Sequence, residues 1–195
     1  LLAHCQNQTL KAQWLAAHAE GDAVLALAWQ EEGERYATRA LCTRVESADG
    51  GLRLDGRKIL VWHAQSAQAI IVSALIDGDM ALVLVPRDTP GLTIADYPTF
   101  DGARAATLTF EGVRLEPGQL IARGAEAHAL LTLALDYGVT ALCAHACGAM
   151  EALTETTIQY LKTRKQFGQP LANFQVLQHR LADMVIQQEM ALSVT

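Results

Sequence analysis

Over the first twenty residues Leu10, Trp14, Leu15 and Ala19 recur at helical spacing, and Gly21-Asp22 closes the run. The texture then changes. From about residue 23 to 116, short apolar or alternating runs are cut by the turn dipeptides Asp49-Gly50, Asp55-Gly56, Asp77-Gly78, Pro90-Gly91 and Asp101-Gly102. Ala69–Ile76, then Asp77-Gly78, then Met80–Val85 is a hairpin signal of the strongest short type. Leu52–Leu54 and Ile59–Val61 flank Asp55-Gly56 in the same way. Roughly seven strands at this spacing predict an antiparallel barrel or sandwich. From about Ala125 the period becomes helical and holds to Thr163, predicting one long helix in which Gly138 and Gly148 leave room for a neighbour. Gly168 and Pro170 interrupt it. Asn173 then stands where an N-cap belongs, before Phe174, Leu177, Leu181 and Met184 at helical spacing. The two helices should pack antiparallel.

This pattern predicts an α+β chain in three parts. Residues 1–22 are the tail of a helical domain, 23–120 a β-barrel domain, and 121–195 a helical hairpin. The chain starts at Leu1 in what reads as a helix and ends at Thr195 in another, so a fragment of a longer protein is expected.

Composition narrows the function. The 195 residues are 51% hydrophobic and 18% charged, enough apolar material for a sizeable core. A net charge of −6, with Lys162, Arg164 and Lys165 as the densest basic group, argues against nucleic-acid binding. Asp136, His128, His145 and Glu151 interrupt the apolar stretch from Ala127 to Ala152, which reads as a buried helix rather than a membrane span. Cys5, Cys42, Cys143 and Cys147 show no framework spacing and read as reduced, mostly buried thiols of a cytoplasmic protein.

Candidate chemistry concentrates between Arg164 and Met184. A guanidinium beside a tight turn offers paired donors in a rigid fork, suited to a diphosphate. Its rivals are a charge on the helix C-terminus or an interface ion pair. Other clusters are weaker. On a helix Cys143 and Cys147 share a face while His145 points roughly 200° from Cys143, so no metal site is expected. His63 and Ser66, with Asp77 or Asp79, lack a nucleophile elbow. The pair Glu31-Glu32 reads as solvated charge.

The Arg164–Met184 stretch resembles the flavin-contacting corner of the acyl-CoA dehydrogenase family, where Arg-x-x-Phe-Gly is followed by Phe-Gln and Leu-Ala-Asp-Met. The order of elements is similar too. So are Gln13-Trp14-Leu15, Leu54-Asp55-Gly56-Arg57-Lys58 and Phe110-Glu111-Gly112-Val113-Arg114-Leu115. The resemblance implies a β-barrel middle domain, a C-terminal helical bundle, bound FAD, and α,β-desaturation of an acyl-CoA thioester with a carboxylate as base. It also implies that Arg164 binds the flavin diphosphate across a subunit interface, and that Gln166, Phe167, Phe174 and Gln175 shape the adenosine side.

Against the family pattern three places depart. The flavin-supporting loop Leu-Thr-Glu-Pro-x-x-Gly-Ser-Asp corresponds to Leu27–Arg35, with Ala28 for the Thr and Glu34 for the Ser. A strand end that carries a small Thr near the flavin ring has Trp62. In the long helix Asp136 is kept, but Val139 takes the place of an Arg and Gly138 that of one branch's catalytic Glu. The family's more usual catalytic Glu would fall C-terminal of this chain's end, so no residue here is expected to be the base. A chain with an intact donated corner and an altered pocket of its own looks like the small subunit of a heteromer, and details such as Tyr97-Pro98-Thr99 and Gln178-His179-Arg180 are most like the small subunits of pimeloyl-CoA dehydrogenases. The expected partner is a larger acyl-CoA dehydrogenase subunit. The alternatives are a self-sufficient homodimer or homotetramer with its base outside this chain, and a scaffold without flavin.

Overall fold

The computed structural model describes residues 1–33, 37–38, 42–48 and 50–195. They form two compact units, Leu1–Leu133 and Ala134–Thr195.

The first unit opens with a 3-10 turn at Leu2–His4 and helix α1 (Gln8–Glu20). Asn7 caps α1: its Oδ1 accepts from the Leu10 amide at 3.1 Å, while its Nδ2 donates to the carbonyls of Gly118 and Leu120. Gly21 ends the helix in the left-handed conformation that a Cβ would disfavour. Of the expected stripe only Leu10 is buried.

Eight strands follow in one sheet: β1 (Leu25–Ala28), β2 (Arg44–Ala48), β3 (Gly51–Trp62), β4 (Ala69–Ile76), β5 (Asp79–Pro86), β6 (Leu92–Pro98), β7 (Arg104–Leu115) and β8 (Leu120–Arg123). Their order is β6-β7-β3-β2-β4-β5-β8, with β1 on β4. The sheet wraps one core of Leu54, Val61, Ile70, Val72, Val83, Val85, Leu108, Phe110 and their neighbours. The predicted hairpin is present. Ile76 pairs with Asp79, and Asp77 and Gly78 both have positive φ, as a type I′ turn requires.

Two expectations are corrected. The sheet is not wholly antiparallel, since β1 and β2 both run parallel to β4. Asp55-Gly56 is not a turn either. It lies inside the twelve-residue β3, and the register shift between Leu54 and Gly56 puts the extra residue on β7, where Glu111 and Gly112 stand opposite Asp55. The continuous partner β7 outweighs the local turn signal. Asp55 Oδ1 accepts from the Gly112 amide at 2.7 Å, and a Cβ at Gly56 would stand 2.6 Å from Thr43 Cα.

Helix α2 runs Gly124–Thr163, a two-residue strand pair β9 (Lys165–Gln166) and β10 (Gln169–Pro170) follows, and α3 (Gln175–Val194) completes the second unit. Within that unit Cys147 Sγ lies 3.6 Å from Thr195 Oγ1, and Met150, Leu153 and Thr154 face Arg180, Asp183 and Met184, so α2 and α3 run antiparallel. Asn173 is not the N-cap. It ends a 3-10 turn at Leu171–Asn173, and Phe174 caps α3 without a side-chain bond.

The buried helix is also corrected. By length and composition α2 could cross a bilayer, and only 17% of its most apolar window is buried. Tyr137, Val139, Leu142 and Leu153 are exposed. Among the described residues nothing would lie within 4 Å of a Cβ at Gly138 or Gly148. Of the thiols, Cys5 and Cys147 are buried, whereas Cys42 and Cys143 are exposed.

Candidate functional site

The corner after α2 is a miniature hairpin. Gln166 pairs with Gln169 and Lys165 with Pro170. Phe167 (φ 54°) and Gly168 (φ 80°) fill the two turn positions, a type I′ geometry that asks for Asn or Gly at the first. The backbone locks it: the Arg164 amide donates to Tyr160 and the Leu171 amide donates to the Arg164 carbonyl, both at 2.9 Å. A bulky residue held at positive φ costs about 1–2 kcal/mol. Phe167 takes that conformation with its ring 91% exposed, touching Phe174 edge-to-face at 6.1 Å and 80°.

The structure thus brings Arg164, Gln166, Phe167, Phe174 and Gln175 onto one hairpin and the helix start behind it. The Arg164 guanidinium and the side-chain amides of Gln166 and Gln175 are exposed and have no partner among the described residues. An unpaired planar cation, two free amides and an exposed aromatic edge suit a ligand combining a diphosphate with a flat ring system. In the same unit a groove of about 490 Å³ lies between α2 and α3, lined by Met150, Leu153, Met184 and the polar Arg180 and Asp183.

Ala28 and Trp62 belong to the first unit. Ala28 is the last residue of β1 and is wholly buried in the barrel core, so its methyl offers no surface to a ligand. Trp62 ends β3 with its side chain half exposed. His63 follows at positive φ and leads a 3-10 turn, Ala64–Ser66, whose Ala64 and Gln65 carbonyls accept from Arg87. His63 and Ser66 are therefore residues of a strand-end loop. Glu34 lies outside the described residues. Asp136, Gly138 and Val139 are consecutive features of α2, and the Asp136 carbonyl accepts from Thr140.

Sequence reasoning missed one feature. Glu31 is not solvated: it is 6% exposed and forms an ion pair at 2.6 Å with Lys58, which is fully buried. Lys58 Nζ also donates to Ser73 Oγ at 3.0 Å and to the Trp29 carbonyl at 3.4 Å. The Glu31 carboxylate accepts from the amides of Cys42 at 2.5 Å and Thr43 at 3.1 Å. Burial pushes the Glu31 carboxyl up, but the bonds from Lys58 and the two amides outweigh it and hold the group below its ordinary value. Burial lowers Lys58, and Glu31 only partly restores it. Reading Asp55-Gly56 as a turn hid the pair, because only on an unbroken β3 does Lys58 fall on the same inward face as Leu54.

The chain's relatives agree with this architecture. Residues 26–113 match the acyl-CoA dehydrogenase middle domain and residues 128–195 the acyl-CoA dehydrogenase C-terminal domain. The mitochondrial short-chain specific acyl-CoA dehydrogenase of Bos taurus is 30% identical over 95% of this chain and 47% of its own length. Butyryl-CoA dehydrogenase from Megasphaera elsdenii superposes with a TM-score of 0.93 at 25% identity, over 98% of this chain and 52% of that one. A glutaryl-CoA dehydrogenase from Mycobacterium smegmatis, solved in complex with FADH2, gives 0.89 at 26% identity over 97% and 50%. The chain spans about half the length of these relatives.

Proposed function

The chain belongs to the acyl-CoA dehydrogenase family, carrying its middle domain and sequence of its C-terminal domain, and from that premise we propose that it is a subunit of an FAD-dependent enzyme that desaturates an acyl-CoA thioester. The observation that carries the reading is the corner: a guanidinium without a partner, beside an aromatic ring held out on a strained backbone. The donor set fits a flavin dinucleotide. Arg164 would take the diphosphate with two parallel N–H donors. Phe167 and Phe174 would flank the adenosine side, and Gln166 and Gln175 would hydrogen-bond it. When bound, the flavin supplies hydride acceptance, and this chain's residues bind and orient it.

No residue of this chain is assigned as the base. The narrower reading is a small subunit, paired with a larger catalytic chain and resembling the heteromeric pimeloyl-CoA type; what supports it is the departure of Ala28 and Trp62 from the family pattern beside an unaltered corner. Trp62 at the end of β3 agrees with it, since an indole there narrows the chain's own pocket. The second reading is a homo-oligomer whose base lies in sequence not included here.

The test is the visible spectrum of the full-length protein, purified alone and with its large partner. A colourless chain and a yellow complex, bleached by an acyl-CoA, is the expected result. Arg164→Ala should then weaken flavin binding by on the order of a hundredfold, the loss of a charge-assisted pair. Unchanged affinity would remove Arg164 from the site. Flavin held by the chain alone would favour the homo-oligomer.

A further inference from the structure

The corner consists of two halves that meet at one residue. On one side stand the hairpin with Arg164 and Phe167 and the 3-10 turn Leu171–Asn173. These are joined by the Leu171 amide, which donates to the Arg164 carbonyl at 2.9 Å, and by Asn173 Nδ2, which donates to Gln169 Oε1 at 3.4 Å. On the other side stands α3, with Gln175 in its first turn. Phe174 is the pivot, its backbone extended at φ −85° and ψ 115°. Its amide donates to the Leu171 carbonyl, and its carbonyl accepts from the amides of Leu177 and Gln178. Peptide planarity makes that amide turn with the preceding half and that carbonyl with α3, so both sets of bonds survive rotation about φ and ψ. The edge contact between Phe174 and Phe167 resists rotation about φ and leaves ψ free. Packing adds little: Gln175, Val176 and Gln178 are exposed, and only Leu177 of the first turn is half-buried.

One side chain spans the pivot. Gln178 Nε2 donates to the Ala172 carbonyl at 2.8 Å. Among the described residues no other hydrogen bond joins residues 164–173 to residues 175–194.

We propose that Gln178 is a positioning residue of the corner, a strut that stops rotation at Phe174 and so sets where Gln175 stands relative to Arg164 and Phe167; this rests on the flavin reading above. The hairpin and α3 carry different parts of the donor set. A ligand that joins a diphosphate to a flat ring system meets both, so freedom at the pivot has to be lost on binding and subtracts from affinity. A strut that removes this freedom beforehand raises affinity without touching the ligand. Stability is a poor reason for the bond, since both groups are exposed and water replaces either partner when it breaks.

The experiment uses the full-length protein in its flavin-holding assembly, with Gln178→Met, which keeps the length and removes the donor, Gln175→Ala, and the two combined. Thermal melting and the dissociation constant of FAD are read, with Arg164→Ala as the control for the site itself. Gln178→Met should melt within about 2 °C of the parent and weaken FAD by about three- to tenfold. In the Gln175→Ala background the same change should weaken FAD by less than about twofold, because the group it positions is gone. Equal weakening in both backgrounds would overturn the positioning role. So would FAD affinity that falls with Arg164→Ala but not with Gln178→Met, and both results leave the flavin reading standing. Affinity indifferent to Arg164→Ala and Gln178→Met alike would remove the reading and this inference together. A Gln178→Met protein that fails to fold, or melts more than about 5 °C below the parent, would show that the amide holds the fold rather than the site, and overturns the proposal as well.

Discussion

Phe167→Asn separates strain kept for a ligand from strain of no consequence. In the parent the ring sits at the first position of a type I′ turn with φ 54°. Releasing a bulky residue from that region is worth about 1–2 kcal/mol. Asn adopts it readily, and Asn-Gly is the preferred dipeptide for this turn. Against the gain stands the edge contact to Phe174, worth about 0.5–1.5 kcal/mol at most. The ring is 91% exposed, so its burial contributes little else. The balance lies between a loss of about 0.5 kcal/mol and a gain of about 1.5 kcal/mol, and each kcal/mol gained raises the melting temperature of a chain of this size by roughly 2–4 °C. Urea or thermal melts of the full-length protein measure it. A loss of more than about 1 kcal/mol would refute the strain argument and mean that the ring packs more firmly than its exposure shows. The same variant should weaken FAD by about tenfold or more. A stabilised variant with unaltered flavin binding would leave the exposed ring without a ligand role.

Gly56→Ala should cost about 2–4 kcal/mol in a urea melt, since the new Cβ meets backbone at 2.6 Å and φ is +145°; a neutral result would mean that Thr43 can move away from β3. Lys58→Met should cost about 3–5 kcal/mol at pH 7, because it leaves the Glu31 carboxylate buried without its cation. The pH dependence has a defined sign. In the parent Glu31 lies below its ordinary value of 4.5, so its contribution is complete above 4.5 and is lost as pH falls through the lower folded value. In Lys58→Met the orphaned carboxyl is pushed upward, so the folded variant binds the extra proton and recovers stability between pH 7 and 5. Parallel melts at those two pH values check it, and a gap between parent and variant that fails to narrow at pH 5 would contradict the ion-pair account.

The same dipeptide, Asp-Gly, marks both what the sequence disclosed and what it concealed. At Asp77-Gly78 the flanking runs have no other partner of equal length, and the chain reverses with both residues at positive φ. At Asp55-Gly56 the flanking runs both pair with β7, and the dipeptide continues the strand opposite the extra residue that β7 carries at Glu111-Gly112. Local turn chemistry was legible, but the choice between turning and running on lay with a strand about fifty residues away. The Lys58–Glu31 pair was invisible for the same reason: only once β3 runs unbroken through Asp55-Gly56 does Lys58 share the buried face of Leu54. Asn173 failed as a cap by a smaller margin. A 3-10 turn delays α3, and Gln178 Nε2 instead donates to the Ala172 carbonyl at 2.8 Å across the junction.

The polar groups of the two units differ in a way that bears on the heteromer. In the first unit the buried charges of Glu31 and Lys58 are satisfied by named partners within the fold. Nothing in that pair waits for a ligand, so its role is to set shape. At the corner the opposite holds. The guanidinium of Arg164 and the amides of Gln166 and Gln175 stand exposed without described partners, and the backbone stays strained under Phe167. Strain persists where the surrounding structure over-determines it, and free directional donors gain most when a ligand brings the matching acceptors. A self-sufficient pocket would need the strand ends at Ala28 and Trp62 to offer contact as well. Ala28 offers none through its side chain, and Trp62 offers a large indole. The contrast supports the proposal that the hairpin after α2 completes a site built mainly by another subunit.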